Sequence, residues 1–130
     1  MKQFLILKLF VLSLIFTCCQ SQPGANSIKL TPQVFQDSLN QKPVQLIDVR
    51  TANEFNTGHI DNALNFDFKS DEFKKSIAVL DTSKSVFIYC RSGKRSAKSV
   101  AAFKALGFKN IYELEGGISH WSKINNTVNK

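Results

Sequence analysis

The chain has 130 residues, of which 43% are hydrophobic and 11 are Phe, and this is enough for one domain with a packed core. Its formal net charge is +7. The basic residues are scattered and form no patch interleaved with aromatic side chains, so the composition argues against nucleic acid as a partner.

The first 17 residues are predicted to be a signal peptide of the lipoprotein type. An apolar run at residues 4–16 follows Lys2 and contains Lys8, and it is too short for a comfortable transmembrane helix. Residues 15–18, Ile-Phe-Thr-Cys, are similar to a bacterial lipobox, although Gly, Ala or Ser more often precedes the Cys. The resemblance implies a lipid on Cys18, with Cys19 as the alternative. The same residues are also compatible with an ordinary cleaved signal or an uncleaved anchor.

We therefore expect residues 18–26 to be a lipidated tether, residues 27–125 to be the folded domain and residues 126–130 to be a polar tail. These features predict an exported protein at the cell envelope, facing the periplasm or carried on the outer membrane, with the membrane as a partner through the anchor. Cys90 would be the one cysteine of the domain, which excludes a disulfide scaffold and a cysteine-type zinc site. We expect neither a metal nor an organic cofactor.

The elements of the domain follow one another as short strands and helices. The pattern predicts a strand at 28–30, a helix from Thr31 as N-cap to residue 39, a strand at 44–48 and a short helix from Thr51 to Gly58. It then predicts a strand at 63–66, a helix capped by Ser70 or Asp71 that runs to residue 80, and a strand at 86–89. A helix at 96–106, a strand at 110–114 and a short helix at 118–123 complete the domain. This alternation favours an α/β domain with a mainly parallel sheet, in which ligands lie beyond the carboxyl ends of the strands.

Cys90 lies between the fourth predicted strand and the helix after it. It opens the segment Cys-Arg-Ser-Gly-Lys-Arg-Ser of residues 90–96, which carries three cations. A helix N-terminus and nearby cations stabilise a thiolate, so we expect Cys90 to be a nucleophile. The alternative is a buried cysteine that only ends a core strand. Gly93 suits the unusual backbone angles that such a loop needs.

Three segments resemble the signatures of the rhodanese-type sulfurtransferases, in the order and spacing of that family. The loop that begins at Cys90 resembles the family's active-site loop. Residues 46–63 resemble its first signature, with Leu-Ile-Asp-Val-Arg at 46–50, Glu-Phe at 54–55 and Gly-His-Ile at 58–60. Residues 106–121 resemble its C-terminal signature, with Leu-Glu-Gly-Gly at 114–117 and Trp121. The resemblance implies the rhodanese-like fold, a five-stranded, mostly parallel sheet with helices on both faces.

The resemblance also implies a sulfurtransferase that moves sulfane sulfur from a donor, such as thiosulfate or a persulfide, to cyanide or a thiol. Cys90 would carry the sulfur as a persulfide. The small anionic donor would be bound by the rest of the loop, namely Arg91, Ser92, Gly93, Lys94 and Arg95. A non-catalytic rhodanese-like module that binds a partner is the second hypothesis.

Phosphatase or arsenate reductase chemistry on the same fold is the third hypothesis. The loop of those enzymes is one residue longer, because phosphatases use Cys-x5-Arg where Cys90 and Arg95 make Cys-x4-Arg. The shorter loop suits a sulfur atom better than a tetrahedral phosphate or arsenate. No suitable general acid is obvious in the sequence, and these activities therefore rank below sulfur transfer.

Other polar residues are predicted to support the loop. Asp48 and Arg50 follow the second strand, where an ion pair that holds the loops is favoured over contact with substrate. Glu54 is expected to cap its helix, and His59 to make a structural hydrogen bond. The Gly-Gly pair at 116–117 is expected to form a tight turn near the site.

Overall fold

The computed structural model describes residues 27–41, 43–124 and 129, and it contains one five-stranded sheet. The strands lie in the order β1-β5-β4-β2-β3, and each neighbouring pair is parallel. They are β1 (Ser27–Leu30), β2 (Gln45–Asp48), β3 (Leu64–Asn65), β4 (Val86–Tyr89) and β5 (Ile111–Leu114). The predicted five-stranded, mostly parallel sheet is confirmed. β4, the strand that leads to Cys90, lies at its centre.

Helices cover both faces of the sheet, as predicted. They are α1 (Pro32–Leu39), α2 (Ala52–Thr57), α3 (Phe73–Ile77), α4 (Lys94–Leu106) and α5 (Gly117–Ile124). On one face, Phe103 of α4 joins Ile88 of β4 in a buried cluster that also includes α3. On the other face, Phe35 of α1 and Trp121 of α5 pack with Phe87. Because alternate strand residues point to opposite faces, β4 contributes to both cores and is buried throughout.

Two helices begin where the sequence predicts. Thr31 is the N-cap of α1, and its hydroxyl accepts a hydrogen bond from the N–H of Val34. Thr51 and Glu54 form a capping box at the start of α2, each side chain accepting the other residue's backbone N–H. Gly58 follows the last residue of α2. The boundaries of the strands and of α5 lie within one residue of the prediction.

The prediction for α3 is wrong at both ends. The helix begins at Phe73 after Glu72, and neither Ser70 nor Asp71 caps it with a side chain. Ser70 instead shapes the turn before the helix, because its carbonyl accepts the N–H of Phe73 and its hydroxyl accepts the N–H of Glu72. Beyond Ile77, the backbone continues in turns that join residues three apart, so the helix ends before residue 80.

The start of α4 also differs from the prediction, and the difference bears on the site. The helix begins at Lys94, two residues before Ser96. Gly93 is its N-cap in a left-handed conformation, with φ of 98°, which a residue without a side chain adopts at little cost. Lys94 and Arg95 therefore belong to the first turn of α4, and the loop around Cys90 contains only residues 91–93.

The predicted signal peptide at 1–17 and the tether at 18–26, with Cys18 and Cys19, lie outside the described residues. Residue 125 and the predicted tail also lie outside them, except for Asn129. Asn129 forms an antiparallel bridge with His59 through two backbone hydrogen bonds of 2.9 Å. Across the part of the chain that the structure describes, no helix has the length and apolar character that crossing a membrane requires.

Candidate active site

Cys90 follows β4 and is 1% exposed. Its Sγ lies at the start of α4, where the backbone N–H of Gly93 donates to it over 3.1 Å. The left-handed conformation of Gly93 turns the chain so that the loop closes over the sulfur. The thiol is therefore held at the amino end of a 13-residue helix, where the helix dipole favours negative charge.

Hydrogen bonds make the thiol of Cys90 acidic in spite of its burial. Burial alone raises the pKa of Cys90, because it removes water from the charged form. Hydrogen bonds with the N–H and hydroxyl of Ser96, and from the N–H groups of Ser92 and Gly93, oppose this effect. Their combined result is a pKa below the ordinary value of a thiol. These bonds therefore favour the thiolate, which is the form in which a cysteine acts as a nucleophile.

Ser96 is a functional candidate that the predictions from sequence missed. It is fully buried in the first turn of α4, and its Oγ lies 3.7 Å from Cys90 Sγ. The thiol donates to this oxygen, and the hydroxyl donates to the carbonyl of Gly93 over 3.0 Å. When Cys90 loses its proton, the hydroxyl can turn from that carbonyl and donate to the sulfur. The signal in the sequence is a hydroxyl residue one turn into the helix that follows a nucleophile.

The predicted anion-binding residues occupy different positions around the loop. Arg91, Ser92 and Lys94 are exposed at its outer surface. Within the described residues, neither Arg91 nor Lys94 forms an ion pair. Their charges are therefore open to a small anion that approaches the loop from solvent.

Arg95 is placed differently, because its guanidinium is held by Glu54. Nη1 and Nη2 each donate to one carboxylate oxygen of Glu54 over 2.7 Å. These bonds lower the pKa of Glu54 to about 2, with help from Thr51. Glu54 thus joins the predicted capping box of α2 to the first turn of α4. The N–H groups of Arg95 that Glu54 does not use remain available to another acceptor.

Asp48 and Arg50 form the expected ion pair, which is buried beside the loop. Arg50 Nη2 lies 2.7 Å from Asp48 Oδ2, and it also donates to the carbonyl of Gly58 over 2.7 Å. The hydroxyl of Tyr89 accepts the N–H of Ile60 over 3.0 Å. Burial, followed by the charge of Asp48, raises the pKa of Tyr89 above its ordinary value. The pair ties the ends of β2 and β4 to the segment after α2, and Arg50 is only 6% exposed.

The start of α5 fixes the other side of the loop. The N–H groups of Ile118 and Ser119 donate to the carbonyls of Cys90 and Arg91 over 2.9 and 3.1 Å. Gly117 permits this approach, because a Cβ atom there would lie 2.5 Å from these carbonyl oxygens. Gly117 and its neighbour therefore form a turn against the loop, as expected from the sequence.

His59 makes local contacts. Its Nδ1 lies 3.0 Å from the carbonyl of Phe55, and its ring stacks on the Phe55 ring at 3.8 Å between centroids. These contacts agree with the expected structural hydrogen bond. They stabilise the turn in which the carbonyl of Gly58 accepts a hydrogen bond from Arg50.

Comparison with known protein families matches residues 31–124 to the rhodanese-like domain. The solved structure of a rhodanese-related protein from Thermoplasma volcanium superposes with a TM-score of 0.69 and 26% identity. That match covers 78% of this chain and 97% of the other. The fold and the three segments noted in the sequence thus agree with one family.

Relatives with named activities share the domain. The thiosulfate sulfurtransferase GlpE of Shewanella oneidensis is 33% identical over 84 residues, which cover 65% of this chain and 81% of that protein. The probable adenylyltransferase/sulfurtransferase MoeZ of Mycobacterium tuberculosis is 34% identical, over 77% of this chain and 26% of that protein. A tRNA uridine(34) hydroxylase of Aster yellows witches'-broom phytoplasma is 34% identical, over 72% of this chain and 32% of that protein.

The chain therefore spans about a quarter to a third of the two longer relatives and most of GlpE. The match at 31–124 contains the strands β2 to β5, the Cys90 loop and the Arg95–Glu54 pair. Together with the parallel sheet and the position of the thiol, it shows that this chain belongs to the rhodanese-like domain family.

Proposed function

We propose that the protein is a thiosulfate-type sulfurtransferase that carries sulfane sulfur on Cys90. The observation that supports this most is the hydrogen-bonded, acidic thiol at the start of α4. A persulfide on this thiol is an anion, and the N–H groups that favour the thiolate also favour that charge. The similarity to the thiosulfate sulfurtransferase GlpE supports the same reaction.

The reaction would proceed by double displacement. The Cys90 thiolate attacks the outer sulfur of thiosulfate, its S–S bond breaks, and sulfite leaves with the electron pair. A nucleophile such as cyanide then attacks the outer sulfur of the Cys90 persulfide, which forms thiocyanate and returns the thiolate. Each step transfers one sulfur atom and needs no other oxidant or reductant.

The exposed cations would bind the donor and stabilise the departing sulfite. Arg91 and Lys94 are the candidates that lie open to solvent beside the loop. Arginine suits a sulfonate because its planar fork donates two hydrogen bonds to neighbouring oxygens. Arg95 would add charge from within the ion pair with Glu54.

Steady-state transfer of sulfur from thiosulfate to cyanide tests this function. Thiocyanate production should be abolished in Cys90→Ser, while circular dichroism shows an intact fold. If the wild-type protein transfers no sulfur from thiosulfate, polysulfide or a glutathione persulfide, the result would favour the partner-binding module instead. In that case, Cys90→Ser would retain the binding of the partner.

Phosphatase or arsenate reductase activity is disfavoured by the charges around the loop. Besides the short Cys-x4-Arg spacing, the carboxylates of Asp48 and Glu54 are each held by an arginine. The pairing with Arg95 lowers the pKa of Glu54, so this carboxylate is not suited to act as a general acid, and Asp48 is buried against Arg50. Assays with a phosphate ester and with arsenate should therefore show no turnover.

We also propose that the mature protein is a lipoprotein of the cell envelope, anchored through Cys18 or Cys19. The support is the lipobox-like run of residues 15–18 after a basic and apolar start. Metabolic labelling with a radioactive fatty acid in a bacterial host should label the wild-type protein. The double variant C18S/C19S should lose the label, and equal labelling of both proteins would reject the anchor.

A further inference from the structure

A cavity of about 320 Å³ lies beside the Cys90 loop at the carboxyl ends of β1 and β5. Its walls include seven polar, charged or glycine positions: Lys29, Ser92, Gly93, Lys94, Glu113, Glu115 and Gly116. Gly93, which lines this cavity, also contacts the thiol, because its N–H donates to Cys90 Sγ over 3.1 Å. A molecule in this cavity would therefore lie next to the loop that holds the sulfur.

Glu113 in the wall of this cavity is a buried carboxylate with an unused oxygen. The residue is 3% exposed, and none of the four ion pairs among the described residues includes it. In the part of the chain that the structure describes, its Oε2 is the one buried side-chain nitrogen or oxygen without a hydrogen-bond partner. A buried carboxyl oxygen without a partner is stabilised by a hydrogen-bond donor, above all a cationic one, that enters the cavity.

The outer part of the cavity carries the opposite charge. Lys29 and Lys94 are exposed there, and neither is in an ion pair among the described residues. An inner carboxylate and outer ammonium groups complement a ligand that has an ammonium group and a carboxylate close together. An α-amino acid has this arrangement, and its side chain would extend along the wall formed by the Cys90 loop.

We propose that this cavity binds a small amino-acid thiol as the sulfur acceptor, with its ammonium group on Glu113 and its carboxylate near Lys29 and Lys94. The inference rests on the proposed function, because it names the acceptor for the persulfide on Cys90. The acceptor thiol attacks the outer sulfur, a new S–S bond forms, and the bond to Cys90 breaks. Cys90 leaves as a thiolate, and the acceptor keeps the proton as a terminal persulfide, R–S–SH.

Two acceptors that differ only in the amino group test this site. Full-length protein is loaded with thiosulfate, and loss of the Cys90 persulfide is followed with cysteine and with 3-mercaptopropionate. Wild-type protein should prefer cysteine, and Glu113→Gln should reduce the ratio of the two rates by roughly tenfold, as expected for one charge-assisted hydrogen bond. The different intrinsic reactivities of the two thiols cancel when this ratio is compared between proteins.

Glu72→Gln is the control, because Glu72 is an exposed glutamate that lies outside this cavity. It should keep the wild-type ratio. An unchanged ratio in Glu113→Gln, or an equal fall in both variants, would overturn the proposal. If Glu113→Gln does not fold, Lys29→Gln should reduce the preference for cysteine over cysteamine, which lacks the carboxylate, and no reduction would count against the site.

Binding of S-methylcysteine, measured by titration calorimetry, separates this proposal from the proposed function. This probe has the ammonium and carboxylate groups but no reactive thiol. It should bind unloaded wild-type protein and Glu72→Gln more tightly than Glu113→Gln. If Cys90 forms no persulfide, the proposed function fails, while such binding would still support the amino-acid site. If the persulfide forms but S-methylcysteine does not bind, only the amino-acid site fails.

Discussion

At the scale of single residues, two opposing effects set the charge of Cys90. Burial at 1% exposure favours the neutral thiol, whereas donors from Ser92, Gly93 and Ser96 favour the thiolate. The donors prevail, so the pKa is lowered. Two of the three cations in the loop segment, Arg91 and Lys94, are exposed. The sulfur is stabilised chiefly by backbone N–H groups and one hydroxyl.

Removing the hydroxyl of Ser96 should make Cys90 less acidic. In Ser96→Ala, the thiolate loses a hydrogen bond, so its pKa should rise and the pH profile of alkylation should move to higher pH. The measurement is the rate of iodoacetamide addition to the Cys90 peptide, followed by mass spectrometry across pH.

Ser99→Ala is the matched control for this change. Ser99 is a buried serine of α4 whose hydroxyl donates to the carbonyl of Ser96 rather than to the sulfur. It should leave the profile close to that of the wild type. If both variants shift the profile equally, the hydroxyl of Ser96 has no specific effect on the thiol.

Glu54 should make the protein lose stability as the pH becomes acidic. Its pKa is lowered to about 2 by Arg95, whereas an unfolded glutamate has a pKa of about 4.3. The stabilisation is therefore complete above about pH 4.3 and is lost as the pH falls towards 2. Urea unfolding across this range should show a smaller loss of stability in Glu54→Gln than in the wild type.

Glu72→Gln provides the reference for this series. Glu72 forms only an exposed pair with Lys75, in which both side chains are more than half exposed. Removing its charge should leave the loss of stability at acidic pH the same as in the wild type. A Glu54→Gln variant that loses stability as steeply as the wild type would show that the pair with Arg95 contributes nothing in this range.

At the scale of elements, contact between α5 and the Cys90 loop should be sensitive to the size of residue 117. Gly117→Ala would place a Cβ 2.5 Å from backbone atoms of the loop, at φ of 61°. Gly107→Ala meets nothing within 4 Å but has φ of 101°, so it carries the backbone strain alone, about 1–2 kcal/mol. Gly117→Ala should therefore lose more stability and also slow sulfur transfer.

Urea unfolding and transfer from thiosulfate to cyanide measure these two effects. The structure predicts that Gly107→Ala keeps nearly full activity at a lower stability. Equal losses of stability in the two variants, with equal activity, would contradict a tight packing of α5 on the loop.

Local signals predict most helix starts and every strand, because caps and apolar runs act over a few residues. The Thr31 cap and the Thr51 capping box are examples. The predicted start of α4 is wrong by two residues because its N-cap is Gly93, which has no side chain that could cap the helix. The predicted start of α3 is wrong for a similar reason. Serine is a common capping residue, but Ser70 instead forms the turn before the helix.

At the scale of the whole molecule, the site depends on contacts between distant parts of the chain. Arg95 and Glu54 are 41 residues apart, and their pairing requires the parallel arrangement that brings the ends of β2 and β4 together. The sequence predicts that these strand ends meet, but not which side chains join there. The unpartnered oxygen of Glu113 could not be predicted from the sequence either, because it results from the burial of this residue in the folded sheet.

The central claim is that Cys90 holds a sulfur atom during the reaction, and the mass of the protein tests it most directly. Purified protein is incubated with thiosulfate, freed of small molecules and measured intact, and the modified peptide is then identified. The account predicts a gain of one sulfur atom on Cys90, which cyanide removes and which Cys90→Ser does not acquire. No gain on Cys90 with thiosulfate, polysulfide or a glutathione persulfide, or the same gain in Cys90→Ser, would contradict it.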